Sequence, residues 1–137
     1  MWERATAGLA TKVVTDQTGR PTYTVDLAQA TWQLLSVDRR RQEGEASSEM
    51  NAGPILHVTN AGSATWYQVA EHVFRRAGNP ELLTPCTTAD FPRPAKRPPW
   101  SVLDTTQFEG IVGRPLPVWT DALDRFLNEL EAAVVPA

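Results

Sequence analysis

Paired cysteines, glycine-rich phosphate loops, a basic field and long apolar runs are all missing from this sequence, and each absence removes a class of function. Cys86 is the only cysteine, which excludes an internal disulfide and a multi-cysteine metal centre. Apolar stretches run for only a few residues, far short of the roughly twenty that cross a bilayer. Formal net charge is −3, so nothing holds nucleic acid or an anionic membrane. Arg39-Arg40-Arg41 is a local exception, and beside Glu43 and Glu45 it reads as part of a solvated linker. Met1-Trp2-Glu3-Arg4 has neither the basic start nor the apolar run of a signal peptide, so a cytoplasmic protein is expected. The 137 residues, 42% apolar and 21% charged, have the composition of one ordinary globular domain.

Catalytic constellations are equally scarce. The eight glycines never fall into G-x-G-x-x-G or G-x-x-x-x-G-K-[ST]. Neither tyrosine has a lysine four positions on, because Tyr23 is followed there by Leu27 and Tyr67 by Glu71. His57 and His72 have no metal-compatible partner nearby in sequence and read as structural or surface histidines. Cys86 would need a base and positive surroundings to act as a nucleophile, and reads instead as a small buried hydrophobe.

What is present is an alternation of strands and helices. Lys12-Val13-Val14-Thr15-Asp16 reads as a strand followed by turn chemistry, and a helix is expected from about Thr24, with Leu27, Ala30, Leu34 and Leu35 at helical spacing. Residues 36–53 offer almost nothing to bury and read as a flexible surface linker. Ile55 to Thr59 reads as a second strand. Thr65 and Gln68 then have capping-box spacing, and a stripe of Trp66, Val69, Ala70, Val73, Phe74 and Ala77 runs to a stop at Gly78. On that stripe Trp66 reads as core. Leu82 to Thr87 is a weaker edge strand. Asp104 to Gln107 opens a short helix ending near Gly113, and a last helix after Trp119 buries Ala122, Leu123, Phe126, Leu127, Leu130 and Val134. The expected class is α/β, a single domain over 1–137 with a small sheet packed by helices.

There are 11 prolines, clustered between Pro80 and Pro117, so the stretch around Phe91 to Trp100 must be an ordered extended loop. Lys96 and Arg97 sit on it. One reading is that Arg97 grips a phosphate from a stiff support. The other is that Arg97 pairs with the protein body and Trp100 is core.

Four segments in register resemble one family, the dTDP-4-dehydrorhamnose reductases. Asp16-Gln17-Thr18-Gly19-Arg20-Pro21-Thr22-Tyr23, with Asp26-Leu27-Ala28, is similar to their DQxGxPTxxxDLA signature. His57 to Gly62 with Trp66-Tyr67 and Ala70 resembles HxxNxGxxxWYxxA, Ala95 to Asp104 resembles AxRPxxSxLD, and Leu116 to Leu123 resembles LPxWxxAL. The resemblance implies the C-terminal, substrate-binding part of an extended short-chain dehydrogenase, without the N-terminal Rossmann part. Met1 to Leu9 would be the tail of the preceding helix. It implies a full-length oxidoreductase that uses NADPH or NADH to reduce the 4-keto group of dTDP-4-dehydro-L-rhamnose, giving dTDP-L-rhamnose for polysaccharide. By position, Gln17, Pro21, Thr22, Tyr23, Arg97 and Ser101 would face the sugar nucleotide. The isolated chain is expected to bind a dTDP-sugar, to bind no cofactor and to be inactive. Its partner would be a cofactor-binding Rossmann polypeptide, or a second copy through self-association. The alternative is a non-catalytic sugar-nucleotide-binding or regulatory subunit on the same fold.

Overall fold

The computed structural model describes residues 1–42 and 55–133. The first helix is α1 (Trp2–Thr6), and the first strand is β1 (Thr11–Val14). β1 runs parallel to β4 (Leu83–Cys86), in a register from Thr11 opposite Leu83 to Val14 opposite Cys86. A short antiparallel pair joins β2 (Thr18–Gly19) to β3 (Ala64–Thr65). Pro85 fits β4 because, among the described residues, that strand pairs on one side only. The α/β reading holds as a small sheet packed by helices.

Local chemistry explains the helix that supports the sheet. In α3 (Trp66–Arg76) the Thr65 hydroxyl accepts from the Gln68 backbone while the Gln68 side chain accepts from the Thr65 backbone. Gly78 follows its C-cap at φ +81, a conformation that suits glycine. Val73, Phe74 and Ala70 of α3 pack with Val13, Leu83 and Ala5. Leu127 of α5 (Trp119–Ala133) closes this cluster. Burying the Phe74 and Leu127 side chains completely contributes about 1.5–3 kcal/mol each before the cost of ordering them. Phe108 is the fully buried residue of α4 (Thr106–Val112), which ends on Gly113 at φ +82.

Several expectations are corrected. Ile55 to Thr59 forms no strand, and the first backbone pairing comes at Ala61, which exchanges hydrogen bonds with Pro117 and Trp119. α2 (Thr24–Gln42) continues seven residues into the expected linker, because Arg and Gln are good helix formers. The rest of that linker lies outside the described residues, as does Val134. The inward positions are Asp26 and Ala30 on α2 and Tyr23 just before it, whereas Leu27 and Leu35 are exposed. Trp66 is half-exposed rather than core, and Phe126 is also largely exposed. None of the described helices is long and apolar enough to cross a membrane.

Candidate functional site

Ligands of α/β proteins collect beyond the C-terminal ends of parallel strands. Here β1 delivers Asp16 and Gln17 to that end, and β4 delivers the single 3₁₀ turn Thr88–Asp90. Thr88 joins the two. Its backbone N–H donates to both Asp16 carboxylate oxygens, at 3.0 and 2.9 Å, and its hydroxyl donates to Asp16 Oδ1 at 2.8 Å. The same hydroxyl oxygen accepts from Gln17 Nε2 at 2.9 Å. The Thr88 backbone bond, then its hydroxyl, hold the Asp16 carboxyl below its ordinary range.

Beside this junction lies a cleft of about 450 Å³, floored by β1 and walled by the proline-rich loop. Lys12, Arg93, Lys96 and Arg97 line it, with Trp66 and Phe91, and no carboxylate does so. Four cations therefore face one cavity in a chain of net charge −3. Arg93, Lys96 and Arg97 make no hydrogen bond or ion pair among the described residues, so their donors are free. Trp100 is 63% exposed, which removes the reading of Trp100 as core.

The residues singled out by the resemblance divide among three places. Gln17 and Arg97 line the cleft. Pro21, Thr22 and Tyr23 line a separate pocket of about 250 Å³, with Trp119 and Phe126. Ser101 lines neither. Its N–H and hydroxyl both donate to the Thr18 carbonyl, at 2.9 and 3.1 Å, while Thr18 N–H donates to the Pro99 carbonyl at 2.8 Å.

Tyr23 is buried and its hydroxyl donates to Glu129. That bond, with burial, raises the phenol above its ordinary value. Next to it lies a buried polar cluster. Asp26 accepts from both Arg125 Nη atoms, at 2.8 and 2.6 Å, and from Asn60 Nδ2 at 2.6 Å. Asn60 also donates to the Pro117 carbonyl at 3.0 Å and accepts from the Tyr23 N–H at 2.8 Å. Arg125 lies 5.3 Å from the Tyr23 ring centroid. The Arg125 hydrogen bonds hold Asp26 below the usual carboxylate range in spite of its burial, and Asp26 in turn raises Arg125. With every partner engaged, this cluster is a clamp joining α2, α5 and the segment at Asn60.

His72 contacts Asp124 at 2.6 Å and sets its ring edgewise to Trp119, a structural arrangement. Cys86 is half-buried, and desolvation first, then Asp90, raise its thiol, which disfavours the thiolate. Among the described residues no group of three or more His, Cys, Asp or Glu could hold a metal ion. Lys12, Trp66, Thr88 and Phe91 were not expected in the cleft. Only Trp66 gave a signal, being an aromatic at the first helical position, where a side chain sits at the margin of the buried stripe.

Residues 1–132 match the RmlD substrate binding domain family. A probable dTDP-4,6-dihydroxy-2-methyloxan-3-one 4-ketoreductase of Streptomyces antibioticus is 41% identical over 137 residues, which cover 99% of this chain and 42% of that protein. The crystal structure of a dTDP-4-dehydrorhamnose reductase from Clostridium acetobutylicum superposes with a TM-score of 0.73 at 32% identity, over 95% of this chain and 42% of that one. A dTDP-4-dehydrorhamnose reductase from Bacillus anthracis in complex with NADP gives a TM-score of 0.73 at 26% identity, over 93% of this chain and 41% of that one. The chain thus spans about two-fifths of the length of these relatives.

Proposed function

The chain belongs to the RmlD substrate binding domain family, and on that premise we propose that its cationic cleft binds the diphosphate of a dTDP-sugar as the substrate-holding part of a dTDP-4-dehydrorhamnose reductase. The reaction in this reading is reduction of the 4-keto group of dTDP-4-dehydro-L-rhamnose by NAD(P)H. The observation behind it is the convergence of Lys12, Arg93, Lys96 and Arg97 on one cavity without a carboxylate. An arginine fork matches phosphate oxygens in pairs, and a lysine adds a point charge. Trp66 and Phe91 offer flat apolar faces to a base or a sugar ring.

These residues do not fit a dinucleotide cofactor. No glycine-rich turn follows β1 or β4, and the free N–H that a pyrophosphate would need at Thr88 already serves Asp16. No hydride-transfer step is therefore assigned to this chain's own residues. Their part in the chemistry is to hold and orient the sugar nucleotide.

Calorimetric titration of the purified chain with dTDP-glucose and, separately, NADPH tests this reading. Binding of the dTDP-sugar alone is expected, and Arg97→Ala should weaken it roughly tenfold by removing a charge-assisted phosphate contact. An unchanged affinity in folded Arg97→Ala would remove that residue from the site. Absence of any dTDP-glucose heat in a folded sample would refute autonomous binding.

A further inference from the structure

Both ends of the basic loop are fastened to the same few residues. At its start, Thr88 is bonded to Asp16 and Gln17 through its N–H and hydroxyl. Its one hydroxyl proton goes to Asp16 while its oxygen receives Gln17 Nε2, so no hydroxyl donor is left for an anion. The Thr87 N–H and hydroxyl donate to Asp90 at 2.7 and 3.0 Å, which closes the turn that launches the loop. At its end, Thr18 and Ser101 exchange the bonds already described, and Trp100 bridges to Thr18. Gly19 completes the fit, since a Cβ there would stand 3.1 Å from Ser101 Oγ. Residues 91–99 between these anchors are exposed throughout.

We propose that Asp16, Thr88 and Ser101 are positioning residues, forming a clasp that holds the 91–99 loop over the cleft so that Arg93, Lys96 and Arg97 are prearranged for an anionic ligand. The ligand half of this inference rests on the cleft reading above; the clasp itself does not. Asp16 and Ser101 act through the loop backbone and touch no ligand. Thr88 lines the cleft but has no hydroxyl proton to spare, so it too acts by holding Asp16. Preorganised side chains lose less freedom on binding, which makes loop order a contribution to affinity.

The loop contains its own reporter. Arg93 and Arg97 are each followed by proline, which leaves Lys96–Arg97 as the one bond in the loop that trypsin cuts readily. The full chain, Thr88→Val, Thr88→Ser and Ser101→Ala would be digested under native conditions, with cleavage at Lys96–Arg97 followed by mass spectrometry and dTDP affinity measured in parallel. Faster cutting at this bond is expected in Thr88→Val and Ser101→Ala, with dTDP affinity lowered about 2- to 10-fold. Thr88→Ser keeps the hydroxyl and should behave as the parent. Wild-type cutting rates in Thr88→Val and Ser101→Ala would overturn the clasp, as would Thr88→Ser behaving like Thr88→Val. Should Thr88→Val fail to fold, Ser101→Ala decides, because it removes a single exposed hydrogen bond. If the parent chain binds no dTDP while the cutting rates change as expected, the clasp stands and the cleft reading falls.

Discussion

Asn60→Ala isolates the buried clamp. Asn60 is fully buried and its side chain makes three hydrogen bonds: to Asp26, to the Pro117 carbonyl and from the Tyr23 N–H. Alanine leaves the Tyr23 N–H without that partner, takes one of two donors from the Pro117 carbonyl, which keeps the Ala61 N–H, and strips one donor from Asp26. The one buried donor left unpaired costs about 1–3 kcal/mol and the two other lost hydrogen bonds about 1 kcal/mol each, since Asp26 and the Pro117 carbonyl keep partners, so the summed loss is about 3–5 kcal/mol. That is a large part of the roughly 5–15 kcal/mol typical of a domain. At the unfolding entropy of a chain of this size it lowers Tm by about 10–17 °C. Urea titration followed by far-ultraviolet circular dichroism, with a thermal scan beside it, gives both numbers. A loss below about 1 kcal/mol with an unchanged transition slope would mean that water or rearrangement satisfies these groups, and the clamp would carry no special weight.

Two further predictions test other parts of the fold. Asp26 is held below its ordinary value, so its contribution is fully present above the unfolded-state value and is lost as pH falls through the lower folded value. Asp26→Asn should therefore lower stability at neutral pH and flatten the acid limb of the stability curve below about pH 4; urea unfolding at a series of pH values would refute this if the limb kept its slope. Gly62 sits at φ +82, and a Cβ there would meet Trp119 Cδ1 at 3.1 Å. Gly62→Ala should cost at least about 1 kcal/mol in denaturant unfolding, and a neutral result would show that Trp119 yields freely.

Elements announced by local chemistry were legible in the sequence. The Thr65 capping box, the stops at Gly78 and Gly113 and the helix after Trp119 each depend on residues a few positions apart, and each is present. What failed depended on distant partners. Ile55 to Thr59 has strand composition, but a strand exists only where another strand offers a ladder, and its neighbour Asn60 is drawn into the polar clamp instead. Asp26 read as a favourable charge in a first helical turn, and nothing local pointed to Arg125, 99 residues on. Tyr23 read as a residue facing ligand, but its hydroxyl meets Glu129, 106 residues away. In the candidate site, Lys96 and Arg97 stood out because a proline-rich loop displays them. Lys12 and Trp66 did not, since only folding brings β1 and the start of α3 under that loop.

The separation of these partners sets the order in which the molecule can form. α3 and its cap require a handful of neighbouring residues and can appear within the first microseconds of collapse. The β1–β4 ladder and the Asp16–Thr88 junction close a span of 72 residues, and the Arg125–Asp26 pair closes one of 99. Closing such loops exacts their entropy before any hydrogen bond returns it, the condition under which folding slows toward milliseconds or longer. The candidate cleft is thus built from contacts that local structure alone cannot supply. During synthesis it stays incomplete until the chain has emerged at least through Ser101.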